Sequence, residues 1–315
     1  MNKIELIKKL SNLGERQKNQ ALKAAEMIKR ILYKSGIPFS LNKFFTYIPV
    51  EKSAFLEING KKLKAKNSGF VSGKINPVDI SSSLISSRFL IDKGGINFNP
   101  LCRGISKSNF YFAPSLAVKA KDLCKIIEAK KIKAKVKVKK QRVISEQILV
   151  GNKINPKIII FSHYDSIDTG AIDNASGTVV ALNLVLKNFL HLSNLLFVFD
   201  GNEELSYDYP IYWGHGYRMF ENKYKKIMKN CKKLIVIDSV GNGKPVIFTD
   251  KKILNLAFPI KNKQLLKKTI TISGDIDKLM KIYHSNLDIP SLVKKEYLEL
   301  TEKLVSINLQ IPLEV

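Results

Sequence analysis

KIIIFSHYDSIDTGAIDNASGTVVALNLVL, residues 157–186, joins two apolar segments through a turn crowded with His, Asp, Ser and Gly. The continuous apolar run at its start reads as a strand buried on both faces of a sheet. The apolar stretch at its end predicts a helix over Thr178–Phe189 packed on that sheet. Two further runs of the same kind follow, LLFVFD (195–200) and KLIVIDS (233–239), with a second helical segment over Trp213–Met228 between them. Alternating β and α segments imply an α/β fold with a mostly parallel, mixed central sheet flanked by helices. In such sheets, sites gather just beyond the carboxyl ends of the strands. The chemistry-bearing residues fall there: His163, Asp165 and Asp173 after the first run, Asp200, Glu203 and Glu204 at and after the second, and Asp238 at the end of the third. His284 lies far downstream.

Outside this core the chain is less regular. Apolar residues three and four apart predict one N-terminal helix from Ile4 to a stop at Gly36, and FFTYIPV and SAFLEI read as two strands. A stretch rich in Ser, Asn and Gly from about 61 to 114 looks like a small, partly β insert, and PSLAVKAKDLCKIIEAKKIKAKVKVKK reads as strand, helix, strand. The organisation is therefore an N-terminal helix of the catalytic domain (1–42), strands plus insert (43–145) and a catalytic α/β core (146–315).

The formal net charge of +26 raises the question of a nucleic-acid surface. The densest basic run, EAKKIKAKVKVKKQR (128–142), alternates apolar residues with Lys at period two, as a strand with one solvated face does. The excess is nearly all Lys, with only six Arg, and is scattered along the chain, which argues against a dedicated nucleic-acid partner. No run is long and apolar enough to span a membrane, and the N-terminal stretch has no secretory h-region. Three widely spaced cysteines, Cys102, Cys124 and Cys231, fit a reducing cytoplasm rather than a disulfide framework. These features leave the oligomeric state open.

Several carboxylates meeting at one sheet edge cannot all stay ionised without compensating charge, and no Lys or Arg sits inside these motifs. One or two divalent cations would supply it. Histidine with carboxylates and no cysteine suits Zn²⁺, with Mn²⁺ or Co²⁺ as ions of similar preference. In His163-x-Asp165 the carboxylate is a candidate to fix the tautomer of a metal-ligating imidazole. The side chains of adjacent Glu203 and Glu204 diverge, so one can bind metal while the other takes a proton from water. Asp173 enters its helix through Ala175-Ser176-Gly177, small residues that let backbone approach the ions. The ten-residue step from His163 to Asp173 suggests an open approach to them. His191 reads as a surface residue, and His215 beside the sole tryptophan, Trp213, as a candidate for the pocket border. Tyr212 and Tyr283 are both candidates to stabilise an oxyanion. No G-x-S-x-G elbow occurs and no cysteine adjoins a histidine, which disfavours serine or thiol nucleophiles.

Taken in order, SHYDS, GAIDNASG, FDGNEE, IDSVG and YHS..D resemble the M28 family of co-catalytic zinc aminopeptidases across most of residues 146–315. The helix ending at Gly36 resembles the family's opening helix, and the irregular middle a reduced protease-associated insert. The resemblance implies a zinc-aminopeptidase/phosphorylase-like fold and a two-zinc site. It implies that His163 and Asp238 bind one zinc, Glu204 and His284 the other, and Asp173 bridges them. Glu203 matches the general base, Asp165 the acid supporting the first histidine, and Asp173-Asn174 the position of a cis peptide. The implied activity is hydrolysis of N-terminal residues from peptides with a free N-terminus. Leu205-Ser206 after Glu204, the Asp208–Gly216 segment, and the missing Ser-Asp-His stretch between Asp250 and His284 depart from the family's pattern in regions that shape the substrate pocket. Two other readings stand beside this one. A glutaminyl cyclase-like single-zinc acyltransferase shares the HYDS, Glu-Glu and terminal His elements, and an inactive M28-like interaction module would need broken ligands.

Overall fold

The computed structural model describes residues 2–309. Its main helices are α1 (Lys3–Ser11), α2 (Asn19–Lys34), α3 (Gly177–Lys187), α4 (His215–Asn230) and α5 (Lys295–Leu309). The principal strands are β1 (Ser40–Ile58), β2 (Ile132–Gly151), β3 (Ile158–His163), β4 (Leu195–Asp200), β5 (Lys233–Ile237), β6 (Val246–Phe248) and β7 (Thr269–Ser273). They form one sheet in the order β6-β7-β5-β3-β4-β2-β1, continued by the short strand Lys61–Lys62. β7, β5, β3 and β4 run parallel, whereas β6 at one side and β2 and β1 at the other are antiparallel to their neighbours.

Alternate side chains of β3 explain why it sits at the centre. Ile160 faces a core shared with α1, α2, α3 and α5, while Ile159 and Phe161 face the core built by Tyr217, Phe220 and Met228 of α4. Burying one such aliphatic side chain contributes about 1.5–3 kcal/mol, so a strand with no polar face is held firmly from both sides. Its terminal His163 inherits that fixed position.

Two expectations change in detail. The single N-terminal helix is two, interrupted between Ser11 and Asn19, where Gly14 takes φ +71. The interruption carries Arg16 inward until it is fully buried, which a continuous helix would not do. The two runs FFTYIPV and SAFLEI are one strand, β1, whose pairing with β2 shifts register between Glu51 and Ser53. The basic run lies on β2 as expected of a half-solvated strand: Lys133, Lys135 and Lys137 are exposed, Ala134 and Val136 buried.

Between β1 and β2 the chain forms a second, four-stranded sheet of Lys66–Asn67, Ser115–Lys119, Gly95–Asn99 and Ile80–Ser82. Ile96, Leu116 and Val118 of this sheet pack on Leu56 and Val136 of the β1–β2 ribbon. Its loops reach back over the carboxyl ends of β3, β4 and β5.

Candidate metal centre

β3 ends on His163 and β4 on Asp200, and the two residues are partners in register, so the loops that follow leave the sheet side by side. β5 pairs with β3 through Val236 and Phe161, which brings Asp238 alongside His163. His163 Nε2 lies 3.4 Å from Oδ1 of Asp173 and 3.4 Å from Oδ1 of Asp238. Its other nitrogen, Nδ1, lies 3.2 Å from the backbone oxygen of Asp165 and 3.4 Å from Oδ1 of the same residue. Asp165 does more than face this ring. Its Oδ1 accepts the backbone N–H of Glu203 at 3.1 Å and its Oδ2 that of Glu204 at 3.0 Å, tying the β3 loop to the β4 loop.

Asp173 is presented by the turn before α3, and the Asp173–Asn174 peptide is cis. The Asn174 side chain spans from β3 to β5, donating to Ser162 Oγ and the Ile237 carbonyl and accepting from Gly177 and Ser239 N–H. A Cβ at Gly177 would meet the Ile237 carbonyl at 2.8 Å, which explains glycine at the close approach of helix to strand. Glu204 and His284 complete the group: His284 Nε2 lies 3.0 Å from Oε2 of Glu204 and 3.4 Å from Oδ2 of Asp173. Donor atoms converge in three sets, His163–Asp173–Asp238, Asp173–Glu204–His284 and His163–Glu203–Glu204, each within 4.8 Å of one another. His163, Asp165, Asp173, Glu203, Glu204, Asp238 and His284 are thus brought together.

Protonation follows from crowding. Burial works against a charged His163, yet hydrogen bonding with Asp165, Asp173 and Asp238 raises its pKa well above the ordinary value. Burial likewise opposes a charged His284, but the Glu204 charge and the nearness of Asp173 push it up to about 10. Asp173 is driven down: burial favours its neutral form, and the two imidazoles outweigh that. Glu203 moves the other way, pushed well above the carboxylate range by burial and by the charges of Glu204, Asp238 and Asp165, with His163 opposing. The donor set therefore demands positive charge inside it. One atom fits a metal ligand directly. Buried His284 Nε2 is aligned for a hydrogen bond with no group, despite the carboxylates beside it. A nitrogen and oxygen donor set whose imidazole Nε2 has no hydrogen-bond partner fits zinc, which would take the place of its proton.

The site forms the floor of a cleft of about 950 Å³, floored by Asp173, Glu203, Glu204, Asp238 and His284. Among the described residues, the Glu203 carboxyl accepts no hydrogen bond, so it faces the cleft uncommitted. Beyond the short His163–Asp173 step, Ser83, Leu84, Ser86 and Ser87 of the insert line the cleft as well. Trp213 borders it, whereas His215 turns away to Asp208 Oδ2 at 3.0 Å and to the Phe44 ring. His191 is exposed, as read. Of the two tyrosines, the Tyr212 hydroxyl accepts the Phe110 N–H and a Ser87 hydrogen bond. Tyr283 stacks on the His284 ring with centroids 3.7 Å apart and lines the cleft.

Three supports escaped the sequence reading. Arg16 donates to the carbonyls of Tyr164, Thr169 and Gly170, clamping the loop that carries Asp165 and Asp173. Asp288 accepts the N–H groups of Ile172 and Asp173. From the insert, the Lys107 carbonyl faces His284 Nδ1 at 3.2 Å, holding an imidazole whose backbone takes φ +50. Asp288 stands four residues after His284 in the YHS..D motif, and Arg16 is one of only six arginines in a lysine-rich chain. Those were the signals available.

Residues 147–296 match the model of Peptidase family M28. No curated protein matches the chain. Among solved structures, the zinc aminopeptidase BSAP from Bacillus subtilis superposes with a TM-score of 0.69 at 16% identity, covering 98% of this chain and 93% of that one. The aminopeptidase from Aneurinibacillus sp. strain AM-1 gives 0.64 at 16% identity, with 99% and 94% covered. A glutaminyl cyclase from Porphyromonas gingivalis gives 0.52 at 11% identity, with 98% and 96% covered. At these identities the structures share a fold with this chain.

Proposed function

The chain belongs to peptidase family M28 through residues 147–296, and from that premise we propose that it is a dinuclear zinc aminopeptidase acting on peptides with a free N-terminus. In this reading His163 and Asp238 hold one ion, Glu204 and His284 the other, and Asp173 serves both. The observation that carries it is Asp173's membership of both the His163–Asp173–Asp238 and the Asp173–Glu204–His284 donor sets. When bound, zinc supplies Lewis acidity, polarising a carbonyl and letting water lose a proton near neutral pH.

This chain's own residues do the rest. Glu203, uncommitted and raised in proton affinity by burial, takes the proton of the attacking water and returns it to the leaving amine. Asp165 fixes both Glu203 and Glu204 through their backbone N–H groups, so base and ligand keep their spacing. Of the two tyrosine candidates, Tyr283, which lines the cleft and stacks on His284, is the one we assign to donate to the oxyanion. Three free thiols support a reducing, cytoplasmic setting. Among the described residues, no helix is long and apolar enough to cross a membrane.

The test is a panel of aminoacyl-anilides and N-terminal glutaminyl peptides, run with and without chelator beside a zinc assay. Chelator-sensitive anilide hydrolysis with two zinc equivalents per chain is expected. Cyclisation of glutaminyl peptides with one equivalent would favour the cyclase reading, which the shared fold with the Porphyromonas gingivalis enzyme keeps in view.

A further inference from the structure

The cleft is built from two parts of the chain that the catalytic residues do not explain. One wall is apolar, formed by Trp213, Phe248, Ile253 and Leu256 of the core. Over it lies the insert segment around Ser83–Ser87. Trp213 is the piece on which both converge. Its indole N–H donates to the Leu256 carbonyl at 2.8 Å, and its ring meets Tyr212 edge-on with centroids 5.0 Å apart. Below it, buried Arg218 binds the carbonyls of Ile211, Trp213 and Pro259 and the Asp208 carboxylate, fixing the backbone of the loop.

From the insert, Arg88 closes the arrangement. Its guanidinium lies 5.6 Å from the Trp213 ring centroid and donates to the Asn255 carbonyl at 3.3 Å, on the same short helix, Lys251–Ala257, that supplies Ile253 and Leu256. The neighbouring Ser87 hydroxyl bonds to Tyr212 Oη. No acidic side chain touches Arg88 among the described residues, so its partners here are a carbonyl and a π face. A guanidinium over an indole is attracted by the ring quadrupole, and the attraction strengthens as the pair is desolvated.

We infer that Arg88 is a positioning residue for substrate selection: by clamping the insert to Trp213 it sets an apolar wall that selects peptides with a bulky aromatic or branched N-terminal side chain. The inference rests on the proposed peptidase reading only for where the side chain enters. The carboxylate floor attracts the cationic N-terminus, and the apolar wall receives the side chain, although Asp275 and Asp277 also line the cleft. A contact of this kind discriminates between large and small apolar side chains by about tenfold to two-hundredfold.

Trp213 is the sole tryptophan, so its fluorescence reports on this wall whether or not the protein turns over substrate. The experiment titrates the protein with phenylalaninol and with ethanolamine while following Trp emission, and in parallel compares kcat/KM for phenylalanyl- and glycyl-anilides. Phenylalaninol should shift the emission at concentrations at least about tenfold lower than ethanolamine needs. Arg88→Gln should lower the phenylalanyl-to-glycyl ratio by about threefold to tenfold, chiefly through a raised KM for the phenylalanyl substrate, and Arg88→Lys should restore most of it. Trp213→Ala should abolish the preference, and circular dichroism of each variant reports its folding. Equal responses to the two amines, or a ratio unmoved by Arg88→Gln in a folded protein, would overturn the inference. If no anilide is cleaved but phenylalaninol still shifts Trp213 selectively, the peptidase reading fails and the wall stands.

Discussion

His163 and His284 do the same work in the proposed site from opposite circumstances. His163 is the last residue of a central strand, and its Nε2 lies 3.4 Å from Asp173 and from Asp238. His284 lies in a loop with left-handed backbone, held by the Lys107 carbonyl of the insert, while Asn99 donates to the Met280 carbonyl at 2.8 Å and Ser106 to that of Tyr283 at 2.6 Å. The strand-carried half is positioned by the core itself, and the loop-carried half by hydrogen bonds from a distant segment. Core packing is hard to disturb piecemeal, whereas a loop hung on a few polar contacts depends on each of them. The insert is accordingly part of the site's scaffold.

The largest effect should come where the halves meet. Glu203→Gln should retain zinc yet lower kcat by about a hundredfold to ten-thousandfold, read by steady-state kinetics beside metal analysis. Loss of zinc together with activity would assign Glu203 to the ligands instead. Next is the strand-carried half. Arg16→Met leaves the buried carbonyls of Tyr164, Thr169 and Gly170 without their donor. It should cost about 3 kcal/mol or more in urea unfolding; a loss under half of that would mean the loop is fixed by other contacts.

The third variant separates the halves. Asn99→Ala with Ser106→Ala should weaken one of two zinc affinities by about tenfold and spare the other, as resolved by competitive chelator titration. Equal weakening of both would erase the distinction between strand and loop.

What the sequence made legible follows the same division. Buried parallel strands announce themselves as unbroken apolar runs, so β3, β4 and β5 and the residues at their ends could be read directly. His284, embedded in YHS..D, could be given a ligand's role only through the family resemblance, because nothing local fixes an isolated histidine in a loop. Arg16, Asp288 and Lys107 act through backbone groups, and hydrogen bonds to carbonyls and N–H groups leave no residue pattern on the partner side. The arginines nevertheless held a clue. In a chain that uses Lys for solvated charge, Arg16, Arg88 and Arg218 each fasten loops at the site through carbonyl oxygens, as the planar guanidinium fork allows.

The smallest expected effect concerns pH. Asp200, at the end of β4, is raised to about 7 by burial and then by the Asp165 charge. Unfolded, it titrates near about 3.9. The folded protein therefore holds an extra proton between those values, so this contribution is full below about pH 4 and is lost as pH rises through about 7. In metal-free protein, Asp200→Asn should flatten the fall of the melting temperature between about pH 4 and about pH 7, the window set by that shift. An unchanged slope would locate the pH dependence in the ligand cluster.

Anomalous diffraction at the zinc edge on crystals of the zinc-loaded protein tests the central claim most directly. Two peaks are expected, one bounded by His163, Asp173 and Asp238 and the other by Asp173, Glu204 and His284. A single peak, or density away from Asp173, would contradict the dinuclear account.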